Sequence, residues 1–246
     1  MNNFTFYTPT KVFFGKDTHL QVGEIIRSYG FSKILLHFGS GSVKRSGLYD
    51  QVVAALDAAG VAYVPFGGVE PNPKMSLVKK GIEIARAEKV EMVLAVGGGS
   101  VLDSSKAIAV GTMNDTDPVL FFEKKAEPKA ALPVGTILTL SASGSEMSQS
   151  CVITNDENGK KRGYNSVFHR PLFSILNPEL TFTVSPYQTA CGIVDIMMHT
   201  LERYLSQPGD VELTDRIAES LLKSAIHAGQ AAMANPCAYE ARATLM

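Results

Sequence analysis

The chain has 246 residues, a formal net charge of −1, 45% apolar residues and 19% charged ones. That balance describes a soluble globular protein able to bury one or two cores, and without a basic stripe it argues against a nucleic-acid partner. No apolar run approaches bilayer-spanning length, the N-terminus lacks the order of a signal peptide, and Cys151, Cys191 and Cys237 are scattered without CxxC spacing, so the expectation is a reducing cytoplasm and no membrane.

In chain order, Thr5–Gly15 reads as two short β pieces broken at Pro9. Lys33–Phe38 reads as a strand and Leu48–Ala59 as an amphipathic helix stopped by Gly60. Val61–Phe66 is a second strand, closed by Gly67-Gly68, and Met75–Glu88 a helix interrupted at Gly81. Met92–Val96 is a third strand running into the Ser100–Thr112 helix, and Gly135–Thr139 a fourth strand. Strands alternating with helices predict a parallel sheet covered on both faces, with ligands outside the carboxyl ends of its strands. Beyond about Pro186 the pattern turns helical: Tyr187–Leu205, ended by Gln207-Pro208-Gly209, then Asp210 to about Ala234, then a helix from near Ala238 that meets Met246 with neither cap nor breaker. The expectation is therefore a dinucleotide-binding α/β domain over residues 1–186 and the start of a helical domain over 187–246, cut rather than completed.

The run Gly97-Gly-Gly-Ser100 lies between the third strand and its helix. Glycines allow a sharp turn and close approach, and the helix start offers free N–H groups and the positive end of its dipole, a place for a phosphate. The alternative is plain loop chemistry, since the run departs from G-x-G-x-x-G. Asp103 and Lys106, on the first turns, would lie beside that phosphate or form an ordinary cap and salt bridge. After the first long strand, Gly39-Ser-Gly-Ser42 has no acid until Asp50, and Lys44 is close. Such a loop tolerates a 2′-phosphate and favours NADP over NAD; a polar loop is the alternative. Thr139-Leu-Ser-Ala-Ser143-Gly-Ser-Glu-Met-Ser148 is dense in hydroxyl donors, or simply a Ser/Gly loop. Lys161 could meet a cofactor charge or be a solvated turn lysine. Asp195 and His199, spaced i, i+4, share one helix face and can grip one divalent cation, or form a surface pair. His19, His37, His169 and His227 show no ligand pattern, and His227 reads as solvent-facing.

Taken together, Gly67–Pro73, the GGGSxxDxxK run of Gly97–Lys106, Ser143-Gly-Ser-Glu146 and Gly192-Ile-Val-Asp195-Ile-Met-Met-His199-Thr resemble the iron-containing (group III) alcohol dehydrogenases, most closely their NADPH-dependent butanol dehydrogenase and aldehyde reductase branch. The resemblance implies a Rossmann-like nucleotide domain, a helical domain and an active site in the cleft between them. It places the pyrophosphate at Gly97, Gly98 and Ser100, with Gly39, Ser42 and Asn72 flanking the adenosine end. Thr139, Ser143, Ser148 and Lys161 line the rest, and Asp103 belongs to the cofactor set. NADP(H) is expected rather than NAD(H), with a primary alcohol or aldehyde as substrate and a homodimer as assembly. Asp195 and His199 become the first two ligands of iron or zinc. Family members carry two further metal-ligating histidines beyond this point, and nothing here corresponds to them. No general base is legible. The alternatives are a nucleotide-binding remnant without catalysis and a lyase of the dehydroquinate synthase type.

Overall fold

The computed structural model describes residues 3–206 and 211–246. Its centre is a six-stranded sheet in which every pairing is parallel. The strands are β1 (Lys11–Phe14), β2 (Lys33–Gly39), β3 (Ala62–Val69), β4 (Met92–Gly97), β5 (Val134–Leu138) and, later in the chain, β8 (Phe173–Leu176). Their spatial order is β1-β8-β5-β4-β2-β3. β2 and β4 are neighbours although β3 intervenes in sequence, so the chain leaves β2 in one direction and returns past it to β4. That reversal is a topological switch point, and it opens a crevice beyond Gly39 and Gly97.

Alternate side chains of the strands feed opposite layers. Ile34, Leu36 and Phe38 of β2 pack with α1 (Val22–Ser28) and α3 (Leu48–Ala58); the short α2 (Ser42–Arg45) lies between β2 and α3. Leu35 faces α4 (Met75–Ala87) and α5 (Gly99–Thr112), with α6 (Val119–Phe122) at the margin. β4 is buried at all six positions. A strand covered on both faces explains why Met92–Val96 reads as an unbroken apolar run.

Two sequence expectations are corrected here. Residues 3–10 form no strand, and among the described residues before Gly15 the one β piece is β1. The second long strand does not stop at Gly67-Gly68 but continues to Val69. Its pairing with β2 slips between His37 and Gly39, and Gly68 takes φ 98°. The glycines thus make a bulge inside the strand rather than its end. A Cβ on Gly67 would stand 2.5 Å from the Phe38 ring, so the bulge is also packed.

An antiparallel hairpin, β6 (Ser150–Asn155) and β7 (Lys160–Asn165), stands apart from the main sheet. Lys161 therefore lies on a strand, not in a turn. After β8 come three helices: α7 (Pro186–Ser206), α8 (Glu212–Ala234) and α9 (Tyr239–Leu245). The expected breaker at 207–209 and start at Asp210 lie outside the described residues. No described helix is long and apolar enough to cross a membrane.

Candidate functional site

β4 delivers the chain to α5 through Gly97, Gly98 and Gly99. None of the three takes positive φ, so their backbone conformation is open to any residue. What demands glycine is space: a Cβ on Gly97 would come within 2.6 Å of Val101 Cγ2, and one on Gly99 within 2.7 Å of Ser143 Oγ. The turn is tight because α5 and the loop after β5 press on it. No side chain caps α5, while the Gly98 carbonyl accepts from the Val101 and Leu102 N–H groups at 2.9 and 3.2 Å. An uncapped N-terminus at a switch point suits an anion.

Lys106 departs from the expectation of a phosphate neighbour. It is fully buried, and its ammonium donates to the Ser145, Ser148 and Ser150 carbonyls at 2.6, 3.2 and 2.9 Å and to Ser145 Oγ at 2.8 Å. The helical period turns it under the loop rather than toward the turn. Burial pulls its pKa below the ordinary lysine value, and the nearby Asp103 charge opposes that. Asp103 accepts from Ser145 Oγ at 2.6 Å and from the Val152 N–H at 3.0 Å. Its pKa is raised by burial, with those hydrogen bonds and Lys106 acting the other way. The pair clamps the hydroxyl-rich loop and β6 onto α5. Ser174 Oγ, donating to the Glu146 carbonyl at 2.6 Å, and Arg170, donating to the Met147 carbonyl at 2.7 Å, hold the same loop from the β8 side.

Two cavities flank the glycine turn. One, of about 630 Å³, is lined by Ser42, Gly98 and Thr139 among the expected residues. The other, of about 710 Å³, is lined by Asn72, Ser100, Asp103, Ser143, Ser148 and Lys161, and also by Asp195 and His199. Gly39 and Gly97 end their strands at the crevice and line neither. The grouping differs from the expectation in one respect. The resemblance puts Asn72 at the adenosine end, whereas in the structure it accepts a hydrogen bond from Lys161 Nζ at 2.8 Å and faces the cavity of Asp195. The hairpin causes this: Thr154 of β6 donates its N–H to the Pro73 carbonyl at 2.8 Å and draws the Asn72 turn toward β7.

Asp195 and His199 project from α7 one turn apart, with Asp195 Oδ1 3.7 Å from His199 Nε2 and each side chain nearly half exposed. Carboxylate and imidazole are suitable donors for iron or zinc. Among the described residues no group of three or more His, Cys, Asp or Glu converges, so these two fill part of a coordination sphere that needs three or more protein ligands for a catalytic ion. α7 reaches this position because Gly192 lies against the loop: a Cβ there would meet the Ser141 carbonyl oxygen at 2.4 Å. Gly192→Ala is expected to push α7 away and lower stability by about 1–3 kcal/mol, measured by urea unfolding; a change near zero would show that the contact is slack.

Sequence reasoning passed over Arg203 and Asn165, which line the Asp195 cavity. Arg203 was findable, because it continues the Asp195–His199 spacing by four residues; Asn165 was not, because the hairpin went unread. Among the other histidines, His37 Nε2 meets Ser104 Oγ at 3.0 Å and its Nδ1 the Phe66 carbonyl at 2.7 Å; His19 bonds Gln51 and Asn177; His169 bonds the Gln149 carbonyl. His227 is exposed.

The fold is thus a parallel α/β sheet with an uncapped glycine turn at its switch point, followed by helices that present a carboxylate and an imidazole one turn apart. Residues 9–178 match the family profile of iron-containing alcohol dehydrogenases, and the chain belongs to that family. It is 47% identical over 246 residues to an NADH-dependent butanol dehydrogenase A of Clostridium acetobutylicum, covering 100% of this chain and 63% of that protein. It is 39% identical over 249 residues to the NADPH-dependent aldehyde reductase YqhD of Escherichia coli, again covering 100% and 63%. A crystal structure of an NADH-dependent butanol dehydrogenase A from Thermotoga maritima superposes with a TM-score of 0.97 at 42% identity, over 100% of this chain and 61% of that one. The chain thus spans a little under two thirds of the length of these relatives.

Proposed function

We propose that this chain is the nucleotide-binding part, with the beginning of the metal-binding part, of an oxidoreductase that moves a hydride between NADP(H) and a primary alcohol or aldehyde. The observation that carries the reading is one shared cavity: Ser100, Ser143 and Lys161 open into the same space as Asp195 and His199. A cofactor with its pyrophosphate on the Gly98–Ser100 turn has room there for its reactive end beside those two side chains. Lys161, steadied by Asn72, supplies positive charge at that end, and Ser143 and Ser148 supply hydroxyl donors. Asp195 and His199 would hold part of the coordination sphere of an iron or zinc ion, which when bound would supply Lewis-acid stabilisation of negative charge on a substrate oxygen. Position and electrostatics come from the protein, hydride from the cofactor, and no side chain is assigned as general base.

The preference for NADP(H) rests on the Gly39–Ser42 loop, which has no acid for a ribose 2′-hydroxyl; the relatives divide, the butanol dehydrogenases being NADH-dependent and the aldehyde reductase NADPH-dependent by name. The division at 186/187 is supported by the strands, all of which among the described residues precede Pro186. Three free cysteines favour a cytoplasmic setting. Exposed Leu213, Ile217 and Leu221 on α8 support association, and a homodimer is the reading that sedimentation would check.

The test is NADPH binding by fluorescence, then NADPH oxidation with butanal, with and without Fe²⁺ or Zn²⁺. Binding together with metal-dependent turnover, lost in Asp195→Ala, is the expected result. Binding without turnover favours the second reading, a nucleotide-binding remnant, to which the two-ligand donor set also points. Absence of binding overturns both.

A further inference from the structure

We infer that Arg45 is the residue that receives the 2′-phosphate of NADP(H) and so sets the cofactor preference; this rests on the nucleotide reading above. With a pyrophosphate at the end of β4, the adenosine ribose falls at the end of the adjacent β2, where the Gly39–Ser42 loop begins. Two cations follow that loop, and the structure separates them. Lys44, the cation the sequence suggests, has its ammonium 5.1 Å from the Phe38 ring centroid and 5.0 Å from that of Tyr49. It is engaged with aromatic faces. Arg45 instead lines the Ser42 cavity, and a Cβ on Gly41 would stand only 2.9 Å from its Nη1. The guanidinium therefore lies against the loop backbone, at the end of β2 to which the nucleotide reading assigns the adenosine ribose. No described carboxylate pairs with it.

The chemistry suits the position. A guanidinium presents a planar fork of donors that matches phosphate oxygens in pairs, and Ser42 in the same cavity wall adds a hydroxyl. Two acids share the cavity, Asp17 and Glu179. They follow β1 and β8, which stand four and three places from β2 in the sheet, and Glu179 lies 3.6 Å from Lys16. Gly41 makes the arrangement dependent on sequence: any larger residue there would push the guanidinium out of the loop.

Calorimetric titration with adenosine 2′,5′-bisphosphate and with AMP, which differ only in the 2′-phosphate, tests the inference on the chain as it stands. The wild type is expected to bind the bisphosphate at least about tenfold more tightly, the span of one charge-assisted contact. Arg45→Ala is expected to erase that difference while leaving AMP affinity unchanged, and Arg45→Lys to restore part of it. Arg45 is exposed, so its removal leaves the fold intact, and thermal unfolding verifies this. If the wild type discriminates and Arg45→Ala discriminates equally, the inference is overturned and the NADP(H) reading stands. An equal loss for both ligands also overturns it, because Arg45 would then serve the loop or the 5′-phosphate. If the wild type binds both alike, the NADP(H) preference itself fails and the inference with it.

Discussion

Replacing Lys106 by methionine is expected to lower stability by about 3–5 kcal/mol, the range for breaking a buried charged arrangement by removing one partner. The methionine fills much of the same volume, so the loss is electrostatic rather than a cavity effect. It strands the carbonyl of buried Ser145 and those of half-buried Ser148 and Ser150, which now accept from one ammonium, and a buried group left unsatisfied costs about 1–3 kcal/mol. It also removes the positive charge that favours ionised Asp103. The loop that carries Ser143 and Ser148 would lose its central tie, so nucleotide affinity should fall together with stability. Urea unfolding at neutral pH measures the first effect and NADPH fluorescence the second. A loss below about 1 kcal/mol would show that water replaces the ammonium.

The second large effect is a loss of stability on acidification. His37 and His169 are both buried, and burial lowers each from 6.5 to about 4. For His37 the hydrogen bond to the Phe66 carbonyl opposes the shift, and for His169 the Lys106 charge adds to it. Between these values the unfolded chain binds protons at both imidazoles and the folded chain does not, so stability falls as pH falls from 6.5 to about 4 and is fully present above that window. At 1.36 kcal/mol per pKa unit the contribution is at most about 3 kcal/mol for each histidine. Asp103 and Glu146, both raised by burial, take up protons more readily in the folded state and soften the acid end. Urea midpoints at half-unit pH steps read the slope. His37→Asn, which keeps a donor for the Phe66 carbonyl, is expected to reduce that slope by about half; an unchanged slope would assign the acid sensitivity to other groups.

The differences between sequence and structure fall where local rules compete with packing. Leu48–Ala59, Met75–Glu88 and Ser100–Thr112 read correctly to within a residue or so, because each carries helical spacing bounded by a glycine or a polar stop. The hairpin of β6 and β7 escaped notice. Its residues 160–165 are Lys-Lys-Arg-Gly-Tyr-Asn, with no apolar alternation, since one of its faces is open to solvent. The Gly67-Gly68 bulge was misread as a terminator because turn chemistry and bulge chemistry use the same residue. For Lys106 the sequence leaves two places open, beside a phosphate or in an ordinary cap and salt bridge, because spacing along a helix shows which residues share a face, but not which face is covered.

What the sequence by itself determined is the alternation of strand and helix, the glycine turn at the end of the third long strand, and the pairing of Asp195 with His199. These are local: they follow from periodicities of 2 and 3.6 and from residues close together in the chain. Only the tertiary structure decided that Asn72 meets Lys161, 89 residues away, that Lys106 faces inward, and that Lys44 is engaged with Phe38 and Tyr49 while Arg45 pairs with no described carboxylate. Those outcomes depend on strand order and on which layer covers which face, and neither is encoded in any single stretch of residues.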